Sequence, residues 1–446
     1  MNEELIIKIS SEFDPGKPLP LNDRRYVECS LERGSDRLFE RMANTVRRTK
    51  ENTCQLLSGH RGCGKTTELY RLQRGLSFIE PRQFVVYCEA TRYIHLNAVE
   101  YTDVLLMMTQ QLWQNTQGKG IELNPDIFES IFAGVESLFK RLTLKGAEIE
   151  VGWEDFLKGK LSAEFKDNTD IRHQIRSYLR DHTPNFLEAT NELIRLAKAQ
   201  LKDSGYDGLT IIVDNLDRVP LDKIAGTNRD THQALFLDAG GYLSSLDCDV
   251  IYTIPPTLYS RHASRLKDLY GSHPQMLPMI PIAKHSGDKD GSGIAKLVET
   301  IARRMHEAVP TRTKEFDAGQ VIEHLCQTGV LDSQETVNRL CMASGGHLRR
   351  LMTLMSSICT DISDLPITRE AVEYAIRQER DLFIHIVSEP KQRDILRKVA
   401  ETKMITDDEN TSMLLDNFAV LGYYDKDIGP WYDINPVIRE TQQFKA

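Results

Sequence analysis

Gly59-His60-Arg61-Gly62-Cys63-Gly64-Lys65-Thr66 follows the pattern G-x-x-x-x-G-K-[ST]. Glycines let a backbone turn its N–H groups toward an anion without a clash of Cβ atoms. In this pattern Lys65 offers a positive charge to the β- and γ-phosphates, and the Thr66 hydroxyl binds Mg²⁺. An apolar run precedes the loop and a helical pattern follows it, which is the context of a phosphate-binding loop. An incidental glycine-rich turn is the alternative.

A second buried strand, residues 209–213, ends in the acid Asp214. A carboxylate there is expected to hold Mg²⁺ beside the phosphates, the alternative being an ordinary aspartate in a turn. The next residue is Asn215, so Asp217 is the nearest acid that could polarise an attacking water. A helix N-cap is the alternative role for Asp217.

Four apolar runs are of the kind that buried parallel strands show: residues 53–58, 84–88, 209–213 and 249–253, with 276–282 as a further candidate. Helical patterns alternate with them. The sequence therefore predicts an α/β fold with a parallel sheet flanked by helices.

Composition shifts divide the chain into four predicted regions. They are an irregular, proline-rich N-terminal arm (1–30), a phosphate-loop core (31–284), a helical lid (293–386) and a winged helix (390–446). Lys65 and Asp214 are separated by more chain than two strands and two helices need, so residues 118–208 are an insertion of helices and a small hairpin. A partner-docking element and a structural flap remain open as its role.

The 446 residues carry 56 Lys and Arg against 65 Asp and Glu, a net charge of −9. This balance argues against a surface that grips nucleic acid throughout, although a local basic groove is compatible with it. The 8 cysteines are scattered, which is typical of reduced thiols and not of a zinc site. The N-terminus lacks the pattern of a signal peptide and no apolar run is long enough to span a membrane. We therefore expect a soluble cytoplasmic protein.

Residues 59–67, Asp214-Asn215-Leu216-Asp217 and Ser344-Gly345-Gly346-His347-Leu348-Arg349 together resemble P-loop ATPases of the STAND class and the neighbouring initiator-type AAA+ ATPases. The D-x-L-D form of the second segment is more similar to STAND proteins. Most hydrolysing AAA+ proteins carry Glu directly after the first Asp, where this chain has Asn215. That difference implies slow turnover.

The resemblance implies roles for individual residues. Arg349 corresponds to the sensor-2 arginine that reaches the γ-phosphate, with Arg350 as its solvent-facing neighbour; a surface charge is the alternative for Arg349. Thr253 corresponds to the polar sensor 1, and either Arg261 or Arg265 to an arginine finger, unless both simply belong to an amphipathic helix. The implied nucleotide-binding residues are Gly59, His60, Arg61, Gly62, Cys63, Gly64, Lys65, Thr66, Thr67, Tyr26, Val27, Thr253 and Arg349, and the implied catalytic residues are Lys65, Asp214, Asp217 and Arg349.

The implied function is an ATPase switch with ATP and Mg²⁺ as cofactors. Closure on the γ-phosphate would drive homo-oligomer formation or control of a separately encoded effector, and a role in bacterial antiphage defence fits the resemblance. The alternative is a DNA-binding AAA+ ATPase, such as a transposition regulator or a replication initiator.

The winged helix bears on that alternative. From Pro390 onward the chain has 8 basic and 10 acidic residues, and the expected recognition helix, residues 409–421, has no Lys or Arg. DNA contact is dominated by Lys and Arg that meet phosphates. A winged helix packed as part of the switch is therefore favoured over one that binds DNA.

Overall fold

The computed structural model describes residues 2–121, 123, 166, 168–309, 315–406 and 408–445. By its internal contacts the chain divides into two compact units. The loop unit comprises Met1–Leu38, Gly59–Glu68 and Leu277–Ala446, and the sheet unit comprises Phe39–Ser58 and Leu69–Met276.

Seven strands are present in the described part of the chain: β1 (Cys54–Ser58), β2 (Gln83–Glu89), β3 (Gly208–Asp214), β4 (Asp249–Ile254), β5 (Gln275–Met276), β6 (Val420–Asp425) and β7 (Gly429–Ile434). The α-helices up to β5 are Asn2–Glu12, Leu38–Arg48, Lys65–Phe78, Ala90–Tyr93, Tyr101–Gln117, Thr169–Asp181, Thr183–Asp203, Thr231–Gln233, Gly240–Leu243 and Pro256–Tyr270. Those after β5 are Gly291–Ala308, Ala318–Gln327, Gln334–Ser344, Leu348–Asp361, Arg369–Asp381, Ile384–Ser388, Pro390–Thr402, Glu409–Asp416, Pro436–Arg439 and Gln442–Lys445. Short 3₁₀ turns occupy Leu96–Ala98 and Leu216–Arg218, and a π turn occupies Ala234–Asp238.

The sheet unit is built on five parallel strands in the order β2-β3-β4-β1-β5. Burial of β1 and β4 along their whole length, and of β3 from Leu209 onward, explains why the sequence shows them as continuous apolar runs. Helices Tyr101–Gln117 and Thr183–Asp203 pack against β2 and β3, and Pro256–Tyr270 packs against β1. The glycine-rich loop follows β1 directly, and a helix follows the loop. This is the α/β P-loop fold that the sequence predicts.

The last predicted strand is much shorter than its apolar run. Only Gln275 and Met276 pair with β1, whereas residues 276–282 were expected to form a strand. Pro278 and Pro281 lie in that run, and proline has no N–H to donate to a sheet. The apolar residues of the run, such as Ile280, are buried without strand pairing.

The predicted insertion is described only in part. Its C-terminal part forms the helices Thr169–Asp181 and Thr183–Asp203, while the predicted hairpin, with strands at 147–156 and 161–165, and the helix predicted before it lie outside the described residues. A buried ion pair fixes the first of these helices to its neighbour, because Arg176 Nε donates to Asp103 Oδ1 at 2.8 Å. Burial nevertheless raises the pKa of Asp103, since desolvation outweighs the charge of Arg176.

In the loop unit, most helices between residues 291 and 416 begin at a polar side chain that accepts a backbone N–H. The capping residues are Asp290, Asp317, Ser333, His347, Thr368 and Asp408. Such caps satisfy N–H groups that have no partner within the helix. Each capping residue therefore marks the point at which its helix begins.

The helix of residues 409–416 is shorter than predicted. It was expected to continue to Leu421 but ends at Asp416, because Phe418 takes a left-handed backbone with φ 59°. Val420 and Leu421 belong instead to β6, which pairs with β7 in an antiparallel hairpin. Helices Pro390–Thr402 and Glu409–Asp416 followed by this hairpin give the expected winged-helix order.

The N-terminal arm was wrongly expected to be irregular throughout. Residues Asn2–Glu12 form a helix that packs on helices Gly291–Ala308 and Leu348–Asp361, and Ile6, Ile9 and Phe13 are buried there. The prolines that follow the helix dominated the sequence pattern, while the apolar spacing before them carried the helical signal.

This packing makes Ile9 a test of whether the first helix is integral to the loop unit. We expect Ile9→Ala to lower the free energy of unfolding by about 2–4 kcal/mol, because it leaves a cavity at a fully buried position. Urea titration measures the effect. Ile7→Ala is the matched control, since Ile7 is 64% exposed on the same helix. Equal losses for the two variants would contradict the packing.

Candidate functional site

The glycine-rich loop has a backbone that only glycine adopts easily. Gly59, Gly62 and Gly64 have φ values of 147°, 87° and 108°. At Gly62 a Cβ atom would also lie 2.5 Å from the Cβ of Arg349 and 2.8 Å from Cε1 of His347. The loop and the start of helix Leu348–Asp361 can therefore pack this closely because residue 62 has no side chain.

Every carbonyl oxygen from residue 59 to residue 64 accepts a hydrogen bond from the loop unit. The donors are Lys65 Nζ to Gly59 (2.6 Å) and His60 (2.9 Å), His347 Nε2 to Arg61 (2.7 Å), Arg349 N to Gly62 (3.1 Å), Arg33 Nη2 to Cys63 (2.8 Å) and Glu68 N to Gly64 (3.2 Å). Carbonyl oxygens carry partial negative charge and would repel a phosphate. With these oxygens bonded to protein donors, the loop meets a requirement of an anion cradle.

Lys65 is buried and lies within the loop. Its side chain is at a residue only 5% exposed, and its ammonium donates to the two carbonyl oxygens named above. Thr66 follows in the first turn of helix Lys65–Phe78, whose N–H groups lack partners within the helix. These residue types at a helix N-terminus fit a phosphate group and, through the threonine hydroxyl, its metal ion.

His347 holds the start of helix Leu348–Asp361 against the loop. Its Nδ1 accepts from the backbone N–H of Arg350 at 2.9 Å, so the ring hydrogen lies on Nε2 and is donated to Arg61 O. Burial, together with the charge of Arg350, lowers the pKa of His347 well below its usual value. The ring is therefore neutral, and it both caps the helix and fixes the loop.

His60 joins the loop to the hairpin of the winged helix. Its Nε2 accepts from the backbone N–H of Gly422 in β6 at 3.0 Å, which places the ring hydrogen on Nδ1. Burial first, and the positive charge of Lys65 second, lower the pKa of His60 to about 3. A charged ring could not accept this bond, so the contact requires the neutral form.

Of the two arm residues predicted to line the nucleotide site, Tyr26 and Val27, the first contacts the helix that follows the phosphate loop. The Tyr26 hydroxyl lies 3.1 Å from Glu68 Oε1, and Thr67 Oγ1 accepts from Leu19 N at 3.2 Å. Val27 is partly buried against the core of the loop unit. Their predicted role toward a nucleotide stays a prediction.

Arg349 approaches the loop through its backbone and the arm through its side chain. Its Nε donates to Pro15 O at 3.2 Å, while its N–H bonds Gly62 O. Arg350, in contrast, is not the solvent-facing neighbour that was expected. Its Nε lies 3.5 Å from Glu379 Oε2, its guanidinium lies 5.1 Å from the ring centroid of Phe383, and its side chain is only 11% exposed.

Arg33 is a residue of this site that the sequence analysis missed. It is buried, and its guanidinium donates to Cys63 O and to Pro278 O. One side chain thus ties the loop to Pro278, which lies 245 positions after Arg33 in sequence. Nothing in the local sequence around Arg33 signals this, because its partners are backbone oxygens remote in the chain.

In the sheet unit, Asp214 ends β3 with both carboxylate oxygens engaged. Oδ2 accepts from the Tyr87 hydroxyl at 2.8 Å and Oδ1 accepts from Asn215 N at 2.7 Å. Asp214 is 1% exposed and Asp217, in the following 3₁₀ turn, is 4% exposed. Thr253, at the end of β4, accepts from Leu216 N at 3.1 Å and so supports this turn.

The two arginine-finger candidates differ in their surroundings. Arg261 Nη1 lies 3.5 Å from Asp230 Oδ2 and its side chain is 23% exposed, whereas Arg265 is exposed on helix Pro256–Tyr270. Within the described residues, no group of three or more His, Cys, Asp or Glu side chains is arranged to hold a metal ion. No helix in the described part of the chain is both long and apolar enough to cross a bilayer.

The His60 contact predicts a pH dependence of stability. The pKa of His60 in the folded protein, about 3, lies below the ordinary value of about 6.5. Between these two pH values His60 is protonated in the unfolded chain but not in the folded one. This contribution is present above about pH 6.5 and declines by about 1.4 kcal/mol per pH unit as the pH falls toward 3. We expect urea unfolding of His60→Gln to show a correspondingly weaker acid loss between pH 6.5 and 4.5. His385→Gln, an exposed position, serves as the control; identical profiles for wild type and His60→Gln would contradict the assignment.

The chain matches no protein-family model, and it matches no curated protein. Among solved structures it is similar to Drosophila ORC bound to DNA, with 12% identity over 97% of this chain and 89% of that chain and a TM-score of 0.36. It is also similar to Aeropyrum pernix ORC2 in ADPNP–ADP complexes (11% identity, 97% and 95% coverage, TM-score 0.40) and to Cdc6p from Pyrobaculum aerophilum (11%, 98% and 97%, 0.41). At these TM-scores the similarity does not decide the fold, which follows instead from the strand order and from the loop after β1.

Proposed function

We propose that the protein is an ATPase switch of the P-loop type that binds ATP with Mg²⁺ and hydrolyses it slowly. The observation that carries the proposal is the loop 59–64, whose six carbonyl oxygens are all bonded to protein donors around a buried Lys65. Such a loop is prepared for the phosphates of a nucleotide before one arrives, and preorganisation lowers the cost of binding.

The proposed roles follow the residue chemistry. Lys65 would neutralise charge on the β- and γ-phosphates, and Thr66 and Asp214 would hold the metal ion, which when bound spreads the charge of the transferring phosphoryl group. The Asp214 carboxylate fits a metal ion chemically, because it is buried and kept in one orientation by Tyr87. The roles of Asp217 and Thr253 remain as the sequence predicts them.

A switch needs contacts that sense the nucleotide, and three successive loop residues make such contacts. His60 bonds the winged-helix hairpin, Arg61 bonds His347, and Gly62 bonds the backbone of Arg349. A phosphate that shifts the loop would change all three together. We infer that the lid and the winged helix respond through them, with Arg349 exchanging Pro15 O for the γ-phosphate.

The output of the switch is proposed to be assembly into a homo-oligomer or control of a separate effector protein. Antiphage defence has only the sequence resemblance behind it. DNA binding is the second candidate, and one of the similar structures is of ORC bound to DNA. Three of the eight basic side chains of the winged helix pair with carboxylates, because Lys426 lies 3.3 Å from Asp36, and Lys403 and Arg439 both pair with Asp433, which lowers the positive charge that they offer to a phosphate.

Replacing the loop lysine tests the nucleotide site. We expect Lys65→Ala to weaken ATP binding by about 100-fold or more, because a buried charge-assisted contact is lost together with the two bonds that order the loop. Isothermal titration calorimetry with ATP and Mg²⁺ measures the affinity. Lys391→Ala, at an exposed position, is the control. An unchanged affinity for Lys65→Ala would remove the phosphate-loop assignment.

Salt dependence separates the two candidate outputs. Since the basic side chains nearest the hairpin face carboxylates, we expect fluorescence anisotropy to show no ATP-dependent binding to a labelled duplex between 50 and 200 mM salt. Binding that needs ATP and falls steeply with salt, with a log–log slope of about −5 or steeper, would favour the DNA-binding candidate instead.

A further inference from the structure

Phe418 has a backbone conformation that a glycine would adopt at lower cost. Its φ of 59° lies in the left-handed region, where the Cβ atom of any other residue crowds the backbone. Phe418 N donates to Leu415 O at 3.2 Å and Ala419 N donates to Leu414 O at 2.9 Å, which is the pattern that ends many helices at a glycine. The side chain therefore has to explain why a phenylalanine stands at this position.

The hydrophobic core of the loop unit does not supply that explanation. Within the described residues this core includes the neighbours Leu415 and Ala419, whereas the Phe418 ring is neither part of it nor packed against it. Asn435 Nδ2 donates to Phe418 O at 3.0 Å, and this bond helps to hold the unusual backbone in place. A strained residue that its surroundings maintain in this way points to a function of its side chain.

The Phe418 ring contacts two imidazoles of the candidate site. Its centroid lies 6.0 Å from that of His60, with the ring planes tilted by 41°, and 5.2 Å from that of His347 in an edge-to-face arrangement at 85°. Both separations are typical of paired aromatic rings. His60 belongs to the phosphate loop, and His347 caps the lid helix Leu348–Asp361. One side chain of the winged helix thus touches both the loop and the lid.

Each of these imidazoles has to keep one orientation to make its hydrogen bond. His347 Nε2 donates to Arg61 O at 2.7 Å. His60 Nε2 accepts from Gly422 N at 3.0 Å. An aromatic ring packed against an imidazole limits its rotation, because close-packed side chains leave few rotamers open. The packing of Phe418 therefore supports the bond to the loop at Arg61 and the bond to the hairpin at Gly422.

We propose that Phe418 is a positioning residue of the nucleotide site, whose ring couples the phosphate loop to the lid and to the winged helix. This inference rests on the proposed function, since the site has to bind ATP. A movement of the winged helix carries the ring away from His60 and His347 and leaves both imidazoles free to turn. A nucleotide that reshapes the loop acts in turn on the ring, because coupling between two sites is reciprocal. Phe418 thus regulates ATP affinity through the two histidines.

The test uses two substitutions that remove the ring but differ in backbone strain. Phe418→Gly relieves the left-handed conformation and Phe418→Ala keeps it, so we expect the glycine variant to have the higher urea midpoint. ATP affinity should not follow that difference, and calorimetry should show both variants binding ATP about 10-fold or more weakly than the wild type. Phe418→Tyr keeps the ring at a partly exposed position and should stay within about 3-fold of the wild-type affinity.

Lys403→Gly is the matched control. Lys403 also has a left-handed backbone, with φ 60°, at the end of the helix Pro390–Thr402 in the same winged helix. This variant should keep the wild-type ATP affinity within about 2-fold. NMR spectra of protein with isotope-labelled histidine give a second readout, which needs no nucleotide. The signals of His60 and His347, assigned through His60→Gln and His347→Gln, should shift in both variants that lack the ring and stay in place in Lys403→Gly.

The outcomes separate failure of this inference from failure of the proposed function. A wild-type protein that binds no ATP overturns both. If the wild type binds ATP and either variant without the ring keeps the wild-type affinity, the role of Phe418 fails while the nucleotide site stands. The same conclusion follows if Phe418→Tyr binds ATP as weakly as Phe418→Ala, if Lys403→Gly loses as much affinity, or if the histidine signals do not move.

Discussion

The arrangement of the loop unit depends on the orientation of six consecutive peptide groups. A short glycine-rich loop has no internal means of keeping its carbonyl oxygens on one side, because each residue adopts several backbone conformations at similar cost. In this chain the oxygens are held by Arg33, which follows the arm, by Lys65 and Glu68 in the helix after the loop, and by His347 with Arg349 in the lid. The binding geometry is therefore a property of the whole unit.

Two buried neutral histidines connect the loop to the lid and to the winged-helix hairpin at low electrostatic cost. A lysine or arginine at position 60 or 347 would add a charge beside Lys65, and its burial would need a compensating partner. A neutral imidazole instead offers one donor and one acceptor at opposite ends of a rigid ring. His347 uses both ends, toward Arg61 and Arg350, whereas His60 uses its acceptor toward Gly422. Protonation of either ring at low pH weakens its hydrogen bonds. The packing of the lid and of the winged-helix hairpin on the loop is therefore sensitive to acid.

The sequence predicted those parts of the molecule whose signals are local. The loop 59–66, the buried strands and the capped helices of the lid each carry their information within about ten residues. The first helix was missed because the nearby prolines hid an apolar spacing that ends at Phe13. The roles of Arg33 and of His60 could not be predicted, since both side chains bond backbone groups outside their local sequence: Arg33 bonds Cys63 O and Pro278 O, and His60 accepts from Gly422 N.

The three-part composition of the loop unit also bears on how the protein is made. The ribosome delivers residues 59–68 long before it delivers His347, Arg349 and Gly422, so the young polypeptide carries the glycine-rich segment without most of the donors that shape it. During that interval nothing keeps the segment in the conformation that binds a nucleotide. The ability to bind a nucleotide would then arise late in biosynthesis, when residues from Leu277 onward pack against the first residues of the chain. Incomplete translation products would not bind nucleotide.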